Sequence, residues 1–217
     1  MRGSFITFEG IEGCGKSTQA RRLHAALVAA SRPALLTREP GGTVVADAVR
    51  AVLLDPAHAG MAPETELLLF AAARADHVRR VVEPALQAGT HVVCDRFHDS
   101  THAYQGAGRG LDAALIQRID AAARGDLLPD VTVLLDLPAD LGLGRARGRN
   151  AGGADGGAEG RLDDEDLAFH RRVRSGFLRR AGDEPRRIWV VDAHGGEEDV
   201  ASRVVALVRR VLPGLLP

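Results

Sequence analysis

The chain has 217 residues, 45% of them hydrophobic, enough for one compact α/β domain with a full core. Lys and Arg number 28 against 29 Asp and Glu, and a net charge of −1 leaves no basic field for nonspecific nucleic-acid binding. No apolar run reaches transmembrane length, and MRGSFITFEG lacks the apolar core and small-residue cleavage site of a signal peptide, so no membrane partner is expected.

In chain order, Phe5–Glu9 (FITFE) reads as a short strand ending at Gly10. Past Lys16 the pattern turns helical, with Leu23, Leu27 and Val28 on one side. Ala34–Thr37 is a second strand and Thr43–Leu54 a helix. Pro63–Ala88 is a long helix, or two, with Pro63 near its start and Gly89 past its end. His91–Cys94 is a third strand running into Asp95, Leu111–Ala123 a helix, and Val131–Leu137 a fourth strand, buried by its composition. Asp163–Arg180 is a helix, Ile188–Val191 a fifth strand, and Glu197–Leu212 a closing helix. Strands alternating with helices predict a parallel sheet covered on both faces, with ligands beyond the carboxyl ends of its strands. Asn150–Gly160 (NAGGADGGAEG) has the composition of a flexible loop. The two cysteines, Cys14 and Cys94, make no disulfide framework and fit a reducing cytoplasm.

The first strand runs into GIEGCGKST: Gly10, Ile11, Glu12, Gly13, Cys14, Gly15, Lys16, Ser17 and Thr18. The spacing G-x-x-x-x-G-K-[ST] between a strand and a helix is a phosphate loop. Successive backbone N–H groups form an anion nest, and the following helix adds its positive end. Lys16 is placed to reach the β- and γ-phosphates of a nucleotide, and the Ser17 hydroxyl to ligate Mg²⁺. Cys14 beside Lys16 reads as a small filler residue, with a reactive thiol as the alternative.

A phosphate loop alone does not separate a kinase from a switch, but polar segments stand at the other strand ends. They are REPGGT (Arg38–Thr43), FAAAR (Phe70–Arg74) and DRFHDSTHAYQGAGRG (Asp95–Gly110). Together with GIEGCGKST they resemble thymidylate kinase over nearly the whole chain. The resemblance implies a three-layer P-loop NTPase fold of nucleoside monophosphate kinase type, with a five-stranded parallel sheet flanked by helices. It implies a single domain over 1–217, a mobile lid at about 145–163, and phosphorylation of dTMP to dTDP by ATP-Mg. Phe70 would stack on thymine, although alone it reads as a core residue, and Arg74, four residues on along the same helix face, would donate to a thymine carbonyl. Arg96 would grip the dTMP phosphate, a task suited to a guanidinium fork, with Arg38 and Arg50 as further candidates. Asp95 would hold Mg²⁺ through water. Ser100, Thr101 and Gln105 would line the base side, Tyr104 would crowd the position of a 2′-hydroxyl, and Glu12 would accept from the 3′-hydroxyl. The family is typically a homodimer, to which the helix around Leu67–Phe70 could contribute.

After the fourth strand, LGLGRARGRNAGGADGGAEGRLDDED brings Arg145, Arg147, Arg149 and Arg161 around the Gly/Ala insert. This resembles the closing lid of nucleotide kinases, in which arginines supply positive charge and exclude water. Gly13 and Cys14 stand where some thymidylate kinases carry an arginine, so the chain resembles the bacterial subtype whose lid provides it. Arg161 matches the family's R-I-E-x-E pattern best, Arg149 is the runner-up, and Arg145 would border the donor nucleotide. Asp192-Ala193 resembles the family's adenine-side loop. His98 and His102 have metal-like spacing but no third ligand is evident in sequence, and Asp136 reads as structural. Two other readings stay open: a kinase for dUMP, UMP, CMP or AMP, and a noncatalytic nucleotide-binding switch.

Overall fold

Runs rich in Val, Ile, Leu and Phe bury both faces of a sheet, and here they do so between two layers of helices. The computed structural model describes residues 2–151, 160–162 and 165–217. Among these, the strands are β1 (Phe5–Glu9), β2 (Ala34–Arg38), β3 (His91–Asp95), β4 (Val131–Asp136) and β5 (Ile188–Asp192), all parallel in the order β2-β3-β1-β4-β5. Every residue of β1, the central strand, is buried, as a doubly covered parallel strand requires. The register sets Phe8 and Arg38 opposite Asp95, and Asp136 opposite Asp192, so charged residues collect along the carboxyl edge.

The helices are α1 (Lys16–Ala29), α2 (Val44–Leu54), α3 (Pro63–His77), α4 (Glu83–Gln87), α5 (His98–Thr101), α6 (Ala113–Arg124), α7 (Ala139–Ala151), α8 (Leu167–Asp183) and α9 (Glu197–Val211). Thr43, Asp112 and Asp166 cap α2, α6 and α8 by accepting from backbone N–H groups at 3.0, 2.9 and 2.6 Å. The Asp166 cap explains why α8 begins at Leu167 and not at the expected Asp163. One rod runs from Pro63 to Gln87, with a π-helical turn over Val78–Val82 between α3 and α4. Pro84 lacks the N–H that an unbroken ladder would send to the Arg80 carbonyl, and the widened turn precedes it.

Two helical stretches were not expected. α5 continues as a π-helical segment, His102–Gly108, whose buried residues Ala103, Tyr104, Gln105 and Gly108 are small or polar and carry no apolar period. α7 is glycine-rich, a composition of low helix propensity, and is held by its buried Leu143 and Ala146. The core lies on both faces of the sheet. One cluster joins β1 and β4 to α1, α8 and α9, and a smaller one packs Phe5, Val92, Cys94 and Phe97 against Val78, Val82 and Leu86. The Gly/Ala insert and its expected loop at 150–160 lie largely outside the described residues.

Candidate active site

The loop after β1 turns back through positive φ at Gly10, Gly13 and Gly15, of 138°, 68° and 96°. Gly13 also lies against the start of α7: a Cβ there would stand 2.0 Å from the Gly142 carbonyl oxygen. An arginine at this position is therefore excluded on steric grounds, and positive charge for the phosphates has to come from elsewhere. The first turn of α1 has no side-chain cap, so its N–H groups face the loop. Lys16 is buried, and its Nζ donates to the Ile11 carbonyl at 2.7 Å. Burial pushes the Cys14 thiol up despite Lys16 and Arg96, which makes this cysteine a filler and not a nucleophile.

The Ser17 hydroxyl donates to Asp95 Oδ2 at 2.5 Å, while Asp95 Oδ1 is buried without a hydrogen-bond partner among the described residues. A hydroxyl and an unsatisfied carboxylate oxygen, both beside the phosphate loop, form a hard oxygen donor set suited to Mg²⁺. An open cleft runs from this pair along Gly13, Gly15, Lys16 and Thr18 to Arg38, Glu39, Arg50 and Arg96.

Beyond Arg96 a second cavity opens. Phe70, Arg74, Arg96, Ser100, Thr101, Tyr104 and Gln105 all line it, together with Glu39, Pro40, Arg50, Leu54, Phe97 and Leu162. Arg96 adopts a left-handed φ of 69°, uncommon for a side-chain-bearing residue, and this turn off β3 aims its guanidinium inward. It donates to the Gly10 carbonyl at 3.1 Å, Ser100 Oγ at 3.2 Å, Glu12 Oε1 at 3.2 Å and the Tyr104 hydroxyl at 3.1 Å. Tyr104 donates in turn to Glu12 Oε1 by a short hydrogen bond, and His170 Nδ1 of α8 lies 2.9 Å from Glu12 Oε2. Glu12 thus has the partners that an acid beside phosphates needs.

Arg74 is buried and nearly saturated. Nε donates to Glu39 Oε2 at 2.8 Å, Nη1 to Asp120 Oδ1 at 3.2 Å, and Nη2 to the Phe97 carbonyl at 3.2 Å and Thr101 Oγ1 at 3.0 Å. Arg38 is exposed at the end of β2, and Arg50 of α2 donates to the Pro40 carbonyl at 2.9 Å. Arg145 on α7 reaches the Ala193 and Gly195 carbonyls at 3.4 and 3.5 Å, beside the loop after β5. Arg149 falls in α7, and its side chain lies outside the described set.

Arg161 lies apart from the phosphate loop. It is buried, its Nη1 pairs with Glu66 Oε2 at 2.6 Å, and its Nε donates to the Leu53 carbonyl at 3.0 Å. It does not line the cleft of the phosphate loop. A fully buried carboxylate demands a cation, and Glu66 obtains two, Arg161 and Arg109. Sequence reading missed Glu66, Glu39, His170 and Leu162. For Glu66 a signal existed: this acid inside an apolar run stands four residues before Phe70 and eight before Arg74, on one helix face.

His98 and His102 do meet a third group. Asp120 of α6 brings their ligand atoms within 4.8 Å of one another. Asp120 is already held by Arg74 at 3.2 Å and Arg124 at 2.8 Å, and Asp99 next to them by Arg180 and Arg187 at 2.9 and 2.7 Å. Four arginines make the cluster an ion-pair network, hostile to a metal cation. Asp136 is structural, bidentate with Arg174 at 2.7 and 2.8 Å.

Glu9, at the end of β1, holds the segment after β3 in place. It accepts from the Phe97 and Ser100 N–H groups at 2.8 and 3.2 Å and from Ser100 Oγ at 2.6 Å. Burial, and then the nearby Asp99, raise its pKa from 4.5 to about 7. A raised folded-state pKa adds stability below the unfolded value, and that contribution is lost as pH rises through the folded one. The stability of the wild type relative to Glu9→Gln is therefore expected to fall between pH 4.5 and 8 by on the order of 3 kcal/mol. Urea unfolding of both proteins across that range measures it, and a constant difference would contradict the titration.

Comparison with known proteins follows the same lines. A family model described as thymidylate kinase matches residues 8–204. A thymidylate kinase of Geobacter sulfurreducens is 50% identical over 211 residues, covering 97% of this chain and 99% of its own. One of Trichlorobacter lovleyi is 52% identical over 200 residues, covering 92% and 94%. The crystal structure of thymidylate kinase from Ehrlichia chaffeensis superposes with a TM-score of 0.77 at 33% identity, covering 96% of this chain and 100% of that one.

Proposed function

The chain belongs to the thymidylate kinase family and phosphorylates dTMP to dTDP with ATP as donor, and we propose that ATP lies along Gly10–Thr18 while dTMP fills the cavity beyond Arg96. The observation that supports this placement is that cleft and cavity share Glu39, Arg50 and Arg96. A monophosphate in the cavity would set its phosphate where the two meet, facing the end of a triphosphate on the loop.

Phe70 stacks on thymine, Arg74 and Thr101 face its polar edge, and Tyr104 closes the 2′ side of the sugar. Glu12 accepts from the 3′-hydroxyl. Arg96 and Arg50 orient the acceptor phosphate, one oxygen of which attacks the γ-phosphorus in line. No covalent enzyme intermediate is needed, because the positioned dianion is the nucleophile. Lys16 from the loop and Arg149 from the lid stabilise the charge on the moving group, and Arg145 borders the adenine side. Ser17, and Asp95 through water, would hold Mg²⁺, which when bound would supply positive charge beside the phosphates.

The enzyme in this reading is a cytoplasmic homodimer. Val44, Val45 and Val52 of α2 and Leu68 of α3 are exposed apolar side chains on two helices that pack together, a surface suited to a second copy. A sedimenting mass of one chain would remove the dimer. The reading as a whole is tested by ADP release from ATP-Mg with dTMP, dUMP, UMP, CMP and AMP as separate acceptors. A strong preference for dTMP is expected. Preference for another monophosphate would overturn the base site, and ATP binding without transfer would point to a switch.

A further inference from the structure

Glu66 sits outside the reacting centre, yet one carboxylate there holds two walls of the acceptor cavity. Its side chain is fully buried on α3. Oε1 accepts from Gln105 Nε2 at 2.7 Å, and Gln105 lines the cavity. Oε2 pairs with Arg161 Nη1 at 2.6 Å, and the next residue, Leu162, also lines it. Arg161 donates as well to the Leu53 carbonyl at 3.0 Å, and Leu54 is a third wall residue. Arg109 completes the cluster by pairing with Glu66 at 3.1 Å and with Glu165 at 2.6 Å. Two guanidiniums and two carboxylates therefore balance among the described residues. That balance is what lets Glu66 remain ionised without solvent.

We propose that Glu66 is a positioning residue for the acceptor: its ion pair with Arg161 seats Leu162 against the base cavity, so the pair sets dTMP affinity and not the rate of phosphoryl transfer. The proposal rests on the reading of this cavity as the dTMP site. Its physical basis is that Arg161 and Leu162 share one short turn, Gly160–Leu162, so the ion pair of Arg161 and the burial of Leu162 fix the same piece of backbone. An apolar wall fixed by a buried ion pair lowers the ordering cost paid on binding.

Four variants test it by steady-state kinetics in both substrates. Arg161→Met is expected to raise the KM for dTMP about tenfold, with kcat at saturating dTMP and the KM for ATP within about threefold of wild type. Leu162→Ala should show the same split. Arg161→Lys, which keeps the charge, should recover part of the affinity. The double variant Glu66→Gln/Arg161→Met should be no worse than Arg161→Met, as for two residues acting through one contact. A fall in kcat on the order of 10²-fold in Arg161→Met at unchanged dTMP KM would overturn the proposal and place Arg161 at the transferred group. An unchanged KM in both Arg161→Met and Leu162→Ala would overturn it too, even where the double variant fails to fold. Phe70→Ala separates the proposal from its premise. Unchanged dTMP KM in that variant removes the cavity assignment, whereas a raised KM there beside an unaffected Arg161→Met removes only the positioning role.

Discussion

Lys16→Met is expected to lower kcat by on the order of 10³-fold, with a much smaller change in the KM for dTMP. Gly13 has no room for a side chain against Gly142, so the loop itself can bring only one cation to the phosphates. That cation is buried and makes no ion pair among the described residues. Its Nζ rests on the Ile11 carbonyl at 2.7 Å, a neutral partner that positions the ammonium without cancelling its charge. Charge held in place before the reaction costs no reorganisation during it, so this lysine belongs at the upper end of what one donor contributes. Arg149→Ala, the removal of a lid charge, is expected to cost about 10²-fold in kcat. Rapid-quench measurement of dTDP formation at saturating ATP and dTMP reads both. A Lys16→Met rate within tenfold of wild type would mean that the loop lysine does not meet the transferred group.

The phosphate loop and all five strands were legible because their signals are local. A glycine spacing and a run of four or five apolar residues are complete within one short window. The helix over 98–108 was not legible, because Ala103, Gly108 and the polar Gln105 bury a face that no hydrophobic period announces. α7 was hidden by its glycines, which pay a propensity cost that tertiary packing of Leu143 and Ala146 overrides. Side-chain partners were hidden for a related reason. Matching Arg161 to a family pattern places its backbone in a lid but says nothing of Glu66, nearly a hundred positions earlier, which draws its side chain to α3. Asp120 reached His98 and His102 in the same unannounced way, and brought with it the arginines that argue against a metal.

Arg74 shows how a residue can be read correctly as part of a site and still owe most of its environment to stability. Four of its N–H groups are engaged by Glu39, Asp120, the Phe97 carbonyl and Thr101, which leaves one of five for a ligand in the cavity it lines. Arg74→Ala is therefore expected to do two separable things. Removing the guanidinium strands two buried carboxylates, a change that typically costs 3–5 kcal/mol. Glu39 keeps His77 at 3.0 Å, and Asp120 keeps Arg124 at 2.8 Å and His98 at 3.2 Å, so the loss should fall near the lower end, about 3 kcal/mol. Urea unfolding measures this, and an unchanged midpoint at an unchanged slope would mean the network contributes nothing. The second effect is on the base. One lost hydrogen bond to a thymine carbonyl should lower the ratio of kcat/KM for dTMP over CMP by about tenfold or more. Unchanged discrimination in a folded variant would leave Arg74 as the keystone of Glu39 and Asp120 and give base reading to Thr101 and Gln105 alone.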